Sequence, residues 1–292
     1  MFHSWDERES LLVKGQRGRA QRVNELGRIR WPMYPENVTH ETFGLVRAAG
    51  FIVAISVGLL LERWARHARI RPSWRVNSGL WAVDGLVIAI TCGACACSVA
   101  LWAARVRFGL LNAAPAPLPI AIPATIVGLD LVSYAWHRAN HRFPFFWRFH
   151  RVHHSDASFT VSTALRFHPG ELLLSLPLRL AAIAAIGAPV VAVAIFEVVF
   201  MLANLLEHGN IDLPLALEKN LARLSITPAL HRLHHSRRRS DLDSNFGTVF
   251  SFWDRLFGTY RPSSSAAAVE VGLCEIPPPA SLLGALRLPF SG

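Results

Sequence analysis

Long apolar runs alternate along the chain with short stretches rich in arginine or histidine, and this alternation predicts the architecture. Residues 1–42 are polar and of mixed charge, which predicts a surface-lying or loosely ordered arm. Phe43 to Leu61 is apolar apart from Arg47 and predicts a marginal first span or a re-entrant segment. The loop from Glu62 to Ser78 carries Arg63, Arg66, Arg69, Arg71 and Arg75. Gly79 to Ala103 predicts a span in spite of Asp84, and Ala116 to Trp136 predicts another, with its prolines near the start. Leu172 to Leu206 is too long for one crossing, at about 1.5 Å per residue through a core of roughly 30 Å. Gly187 and Pro189 break it near the middle, so a helical hairpin is expected, with both arms opening on one face. The stretches that flank it, 137–171 and 207–260, then share one side of the membrane. The expected fold is all-α: a polytopic membrane helical bundle of about four to five membrane segments, hairpin included, capped by a histidine-rich helical face. The tail, 261–292, is rich in Ser, Ala and Pro and predicts a flexible peripheral segment.

Composition supports this reading. Apolar residues make up 52% of the chain and charged residues 17%, far from the balance of a soluble enzyme. The net charge of +10 is almost wholly arginine, and no basic stripe is interleaved with stacking aromatics, which excludes a nucleic-acid partner. Basic edges facing anionic headgroups are expected instead. The positive-inside rule puts the loop 62–78 and the stretch after Trp136 in the cytoplasm, and the weaker loop at Arg105 and Arg107 outside. The basic arm argues the other way if the first apolar run spans. The expected location is a bacterial inner membrane with the histidine face cytoplasmic. Cys92, Cys95 and Cys97 lie in an apolar run with no second pair to complete a zinc site, and predict small-residue helix packing.

Ten of the thirteen histidines fall between 137 and 235. They form His137-x-x-x-His141, His150-x-x-His153-His154, the isolated His168 and His208, and His231-x-x-His234-His235. Spacings of three and four place side chains on one helical face, one turn apart. A lone histidine on an apolar face is usually a satisfied core residue, and histidines also serve as pH sensors. Eight in three clusters at a membrane edge are different: without a metal they would be costly buried polar groups or mutually repelling cations. Imidazole suits zinc, iron, copper and nickel alike. No His-Glu-x-x-His is present, nor any Glu-x-x-His pair of the soluble di-iron bundles. A single zinc needs three or four ligands and this chain offers about twice that, which argues for a dinuclear site. Asp130, Tyr134, His137 and His141 are spaced to line one helical face, where a carboxylate can orient an imidazole by accepting its outer N–H. Glu197, Asn204 and His208 follow the same logic, with a helix-to-helix polar contact as the alternative for Glu197. Trp253 and Phe257 are expected to be interface anchors or packing residues, and Arg237 to Arg239 to meet headgroups or an acidic redox partner.

Several motifs occur in one order: Asp130, Tyr134, Trp136-His137-Arg138, His141, HRVHHS at 150–155, Arg166, His168 and Pro169, EHGN at 207–210, TPALHRLHHS at 227–236, Asn245-Phe246-Gly247, and WDRLFGT at 253–259. Together they resemble the fatty acid hydroxylase and sterol desaturase superfamily of membrane di-iron oxygenases, over roughly 125–260. The resemblance implies a catalytic domain over 116–260, preceded by membrane segments over 43–115. It implies that His137, His141, His150, His153, His154, His231, His234 and His235 are metal ligands, with His208 a further ligand between the last two clusters. Some relatives carry a second histidine four residues before it. Here that position is Asn204, which would ligate through its amide oxygen, act through a water, or leave a coordination position open. His168 is expected to support the site or the fold rather than to ligate.

The resemblance further implies two irons, O2 as co-substrate, and hydrogen removal from an unactivated C–H bond of a fatty acyl, sterol or related lipid. Hydroxylation is favoured over desaturation. Turnover needs two electrons, and the sequence carries no haem, flavin or iron–sulfur motif, so a separate electron-transfer protein is expected. A membrane zinc hydrolase and a non-catalytic lipid- or metal-binding protein are the rival readings.

Overall fold

The computed structural model describes residues 39–92, 95–263, 269–274 and 276–291. Most of the polar arm expected over 1–42 lies outside them. The chain starts helix α1 (His40–Trp64) with Thr39, whose hydroxyl accepts from the Thr42 amide at 3.1 Å and caps the first turn. At 25 residues α1 is about 37 Å long, enough to cross a bilayer, so Phe43–Leu61 belongs to a continuous helix of spanning length. Its Arg47 is tolerated because it pairs with Glu197 across the bundle.

Helices α2 (Trp74–Cys92) and α3 (Cys95–Val106) lie in an apolar stretch, Trp74–Ala113, which covers the span expected at Gly79–Ala103. Helix α4 (Leu118–Arg142) ends at Phe143, because the residue before a proline is forced into an extended conformation. Pro144 then opens α5 (Pro144–His154) at the position where a missing amide costs nothing. The Phe143–Pro144 corner thereby folds the HRVHHS helix back over the end of α4.

Helix α6 (Pro169–Ile186) stops at Gly187, whose φ of 67° is the left-handed conformation that glycine adopts without strain. Pro189 precedes α7 (Val190–Glu207), giving the two-armed hairpin expected from Leu172–Leu206. Each arm has 18 residues, about 27 Å. Helix α4 packs against both arms, and α7 also packs against α1. Phe43, Leu129, Ile183, Val193 and Phe196 meet in the core that joins these four helices.

Among the described residues five helical stretches are long and apolar enough to cross a membrane, and their outer faces leave Ile52, Leu60, Leu86 and Ile90 exposed. An apolar surface of this extent fits lipid. The protein is a multi-pass, all-α membrane protein. Among the described residues the only β-type pairings are two isolated bridges.

The histidine-bearing segments gather at one end of the bundle. The arginine-rich loop lies at that same end: Asp212 donates its amide to the Ala65 carbonyl at 2.7 Å, and His67 to Asn210 at 3.1 Å. The short helix α8 (Pro228–His234), capped by the Thr227 hydroxyl, and α9 (Phe252–Leu256) complete the cap.

The tail differs from expectation. Its described part forms α10 (Leu282–Arg287), whose Ala285 is buried with Leu80 and Val152, while Arg151 reaches the Leu288 and Ser291 carbonyls at 2.5 Å. Apolar residues at 282, 283, 285, 286 and 288 give it a helical face that the surrounding Pro- and Ser-rich composition masks.

Candidate metal centre

Nine histidines from α4, α5, α7 and α8 converge beneath the cap. They form two groups: His137, His141, His150, His154 and His234, and His153, His208, His231 and His235, each with potential ligand atoms within 4.8 Å of one another. Helical geometry explains the division. In each His-x-x-His-His motif the first and last residues, four apart, lie within about 40° of each other, while the middle one points about 60° from the first and about 100° from the last. His150 and His154 thus join the first group and His153 the second. In the later motif the roles reverse, so that His231 and His235 join the second group and His234 the first. Each motif serves both groups, which abut: the His154 and His235 rings stack at 4.2 Å.

The outer ring nitrogens fix the tautomers. His137 Nδ1 lies 2.9 Å from the Phe246 carbonyl, His153 Nδ1 3.2 Å from Arg166, His208 Nδ1 2.6 Å from Asn204, and His234 Nδ1 2.7 Å from Ser244. A carbonyl only accepts, so each Nδ1 carries the proton and each Nε2 presents a lone pair inward. The Glu171 carboxylate does the same for His150 at 2.9 Å and is held in place by Asn140 at 3.0 Å.

His153 Nε2 and His208 Nε2 are therefore two lone-pair nitrogens, yet they stand only 2.9 Å apart. His208 and His231 approach to 3.0 Å, and His150 and His154 to 3.2 Å, through the same atoms. The inner nitrogens of His137, His141, His234 and His235 are buried without any partner. Lone pairs so placed repel unless a cation lies between them. Nitrogens sharing a metal at about 2.0–2.1 Å in adjacent positions stand about 3 Å apart, so the donor set fits a metal in each group. Protons do not compete strongly for these sites. Burial, reinforced by the neighbouring imidazoles, lowers His153, His154, His231 and His235 far below the ordinary histidine value. Burial also brings His208 to about 4 and His234 to about 3.

A polar framework holds α5. Arg166, 1% exposed, donates to the Val152 carbonyl, Asn77 and Ser155 at 2.9 Å each. Asp156 accepts from Asn77 at 2.8 Å and Thr163 at 2.9 Å. Burial alone would raise the Asp156 carboxyl, but Arg166 and these hydrogen bonds hold it below its ordinary value.

On the membrane side the two groups form the end of a cavity of about 180 Å³ between α4, α6 and α7. His137 and His150 of the first group face it, as do His153, His208 and His231 of the second. Its walls are mainly apolar, with Leu129, Val132, Leu172, Leu178 and Phe200.

Comparison with known proteins matches residues 122–259 to the fatty acid hydroxylase family. The match covers just under half of the chain. The chain is 29% identical over 160 residues to an ornithine lipid hydroxylase of Rhizobium tropici, covering 54% of this chain and 46% of that protein. An alkylglycerol monooxygenase of Danio rerio is 34% identical over 47% of this chain and 30% of its own length. A cholesterol 25-hydroxylase of Rattus norvegicus is 27% identical over 45% of this chain and 44% of its own. The chain thus spans less than half the length of these relatives. No solved structure matches significantly.

Within the fatty acid hydroxylase region several expected supporting residues act differently from expectation. Asp130 does not touch an imidazole: its carboxylate accepts from the Val249 and Phe250 amides at 3.1 Å and from Trp253 Nε1 at 3.0 Å. It holds the loop whose Phe246 carbonyl orients His137, so its influence is one step removed. Tyr134 bonds Thr259 at 2.9 Å and stacks on Phe257. Glu197 makes the helix-to-helix contact, with Arg47, and does not orient a histidine. The Asn204 amide donates to the Ala164 carbonyl at 3.3 Å, and its own main-chain carbonyl receives His208. His168 caps α6 through Nδ1, which accepts from the Gly170 amide at 2.9 Å, and faces the Leu286 carbonyl with Nε2. Trp253 is buried packing.

Sequence reasoning missed Glu171, Glu207 and Asp243. Glu207 lies 3.9 Å from His208 and 3.8 Å from His231, and its adjacency to His208 in EHGN was the available signal. Asp243, 3.5 Å from His141, and Glu171 have no sequence spacing that links them to their histidines.

Proposed function

We propose that the protein is a membrane lipid hydroxylase whose two histidine groups each hold an iron. The observation that carries this reading is the approach of the inward His153 and His208 lone pairs in one group, with His150 and His154 Nε2 3.2 Å apart in the other, at the end of an apolar cavity. Nine imidazoles are more than one metal uses, and the hydroxylase and monooxygenase names of the relatives favour iron over zinc. Bound there, two irons supply O2 activation and removal of hydrogen from an unactivated C–H bond. The ligands proposed for the first iron are His137, His141, His150, His154 and His234. Those for the second are His153, His208, His231 and His235.

The chain's own residues supply the rest. The Nδ1 partners lock the rings of His137, His150, His153, His208 and His234 with Nε2 inward, so these five need no reorientation when metal binds. Burial of His153, His154, His234 and His235, each at most 1% exposed, excludes bulk water. The cavity holds an acyl, sterol or related chain from the bilayer side with one carbon at the histidines. Electrons come from a separate electron-transfer protein, docking at the histidine end of the bundle. The arginines of loop 62–78 at that end favour a cytoplasmic histidine face under the positive-inside rule, and the proposed location is a bacterial inner membrane.

The test is an untargeted comparison of lipids from cells with and without the gene, repeated with His153→Ala. A lipid that gains one oxygen atom only with the intact gene is expected. A lipid that loses two hydrogens instead would mark desaturation. A product that forms without O2 or reductant, on zinc-loaded protein, would overturn the reading in favour of a hydrolase. Full complementation of the deletion by His153→Ala would favour a non-catalytic role.

A further inference from the structure

Arg179 lies inside the membrane-spanning part of α6 and faces the same cavity. Its guanidinium carbon stands 5.7 Å from the Phe196 ring centroid and 5.6 Å from that of Phe200, both on α7. Phe200 precedes His208 by eight residues and Phe196 by twelve. The guanidinium therefore lies about 12–18 Å along α7 from the histidines. Leu129, which also lines the cavity, is eight residues before His137 on α4 and marks the same depth.

A charge at this depth is expensive, and ring faces offset only part of the cost. Arg47, which also lies away from the ends of its span, has Glu197 for a partner. Among the described residues no hydrogen bond or ion pair reaches Arg179, whose contacts are the two rings. The cavity's serines do not compete for the same ligand. Ser133 donates to the Leu129 carbonyl at 3.0 Å and Ser175 to the Leu172 carbonyl at 2.9 Å, each within its own helix. Arg179 is left as a planar fork of N–H donors at the end of the cavity remote from the histidines. That donor geometry matches a carboxylate or phosphate.

We propose that Arg179 binds an oxyanion carried by the lipid substrate, and so selects amphiphiles whose reacting carbon lies about 12–18 Å from their anionic group. The inference rests on the cavity being the substrate site, as proposed above. Arg179 then sets the position of the chain against the histidines. It does not touch the reacting atoms and acts as a specificity-determining residue.

The test measures binding without turnover, using the full chain as purified, in detergent micelles without O2 or reductant. The probes are hexadecanoate, hexadecyl phosphate and methyl hexadecanoate. The wild type is expected to bind at least one of the two anions about ten-fold or more tighter than the ester. The preferred anion identifies the group as carboxylate or phosphate. Arg179→Leu should remove the preference while leaving ester affinity unchanged, and Arg179→Lys, which keeps the charge but not the fork, should retain part of it. Should Arg179→Leu fail to fold, Arg179→Gln serves in its place. Equal binding of acid, phosphate and ester by the wild type would overturn the proposal, as would an undiminished preference in the leucine or glutamine variant. An anion preference in a protein that proves catalytically inactive would support Arg179's role and count only against the hydroxylase reading.

Discussion

The two histidine groups differ in number and in what stands behind them. The group of five has a carboxylate, Glu171, behind His150, and main-chain carbonyls behind His137 and His234. The group of four has only carbonyls behind His153 and His208, with Glu207 a looser neighbour at 3.8–3.9 Å. Three of its four members face the cavity, against two of the five. The five are over-determined and the four are the more open set. A ligand lost from five still leaves a complete imidazole set, whereas a ligand lost from four leaves three.

The largest expected effect comes from the smaller group. His235→Ala should empty that group and abolish lipid oxidation, a loss beyond the roughly 100-fold that orienting residues reach. His154→Ala, in the larger group, should keep measurable metal in both. Metal analysis of the two purified variants compares them directly, and equal losses would erase the distinction drawn here. Next in size is Glu171→Gln, which keeps the shape but removes the charge behind His150. A loss of about 10–100-fold in metal affinity or activity is expected, confined to the five-membered group.

Asp130→Asn should cost less activity than Glu171→Gln, because Asp130 reaches His137 only through the 246–253 loop. Its mark should be local loosening of that loop, read by amide hydrogen exchange at Val249 and Phe250. Glu197→Gln, far from both groups, should leave metal content unchanged and lower thermal stability only, by leaving Arg47 unpaired in the membrane.

Much of this was legible in the sequence because helical spacing is a local rule. Residues four apart share a face, so the clusters and the broken hairpin followed from the order of residues alone. The division of HRVHHS between two groups was not legible, since it depends on which segments meet above it. Periodicity names a face but not its partner: Asp130 and Tyr134 do share a face, yet their partners at 249–259 lie more than a hundred residues away. The same limit hid Glu171 behind His150. In the tail, the apolar face of Leu282–Arg287 was masked by its Pro- and Ser-rich surroundings.

The most direct test of the central claim is the metal content of the purified full chain, measured by mass spectrometry beside His235→Ala. Two irons per chain in the wild type, falling to one in the variant, is the predicted result. One metal per chain, zinc in place of iron, or a variant with the wild-type content would contradict it.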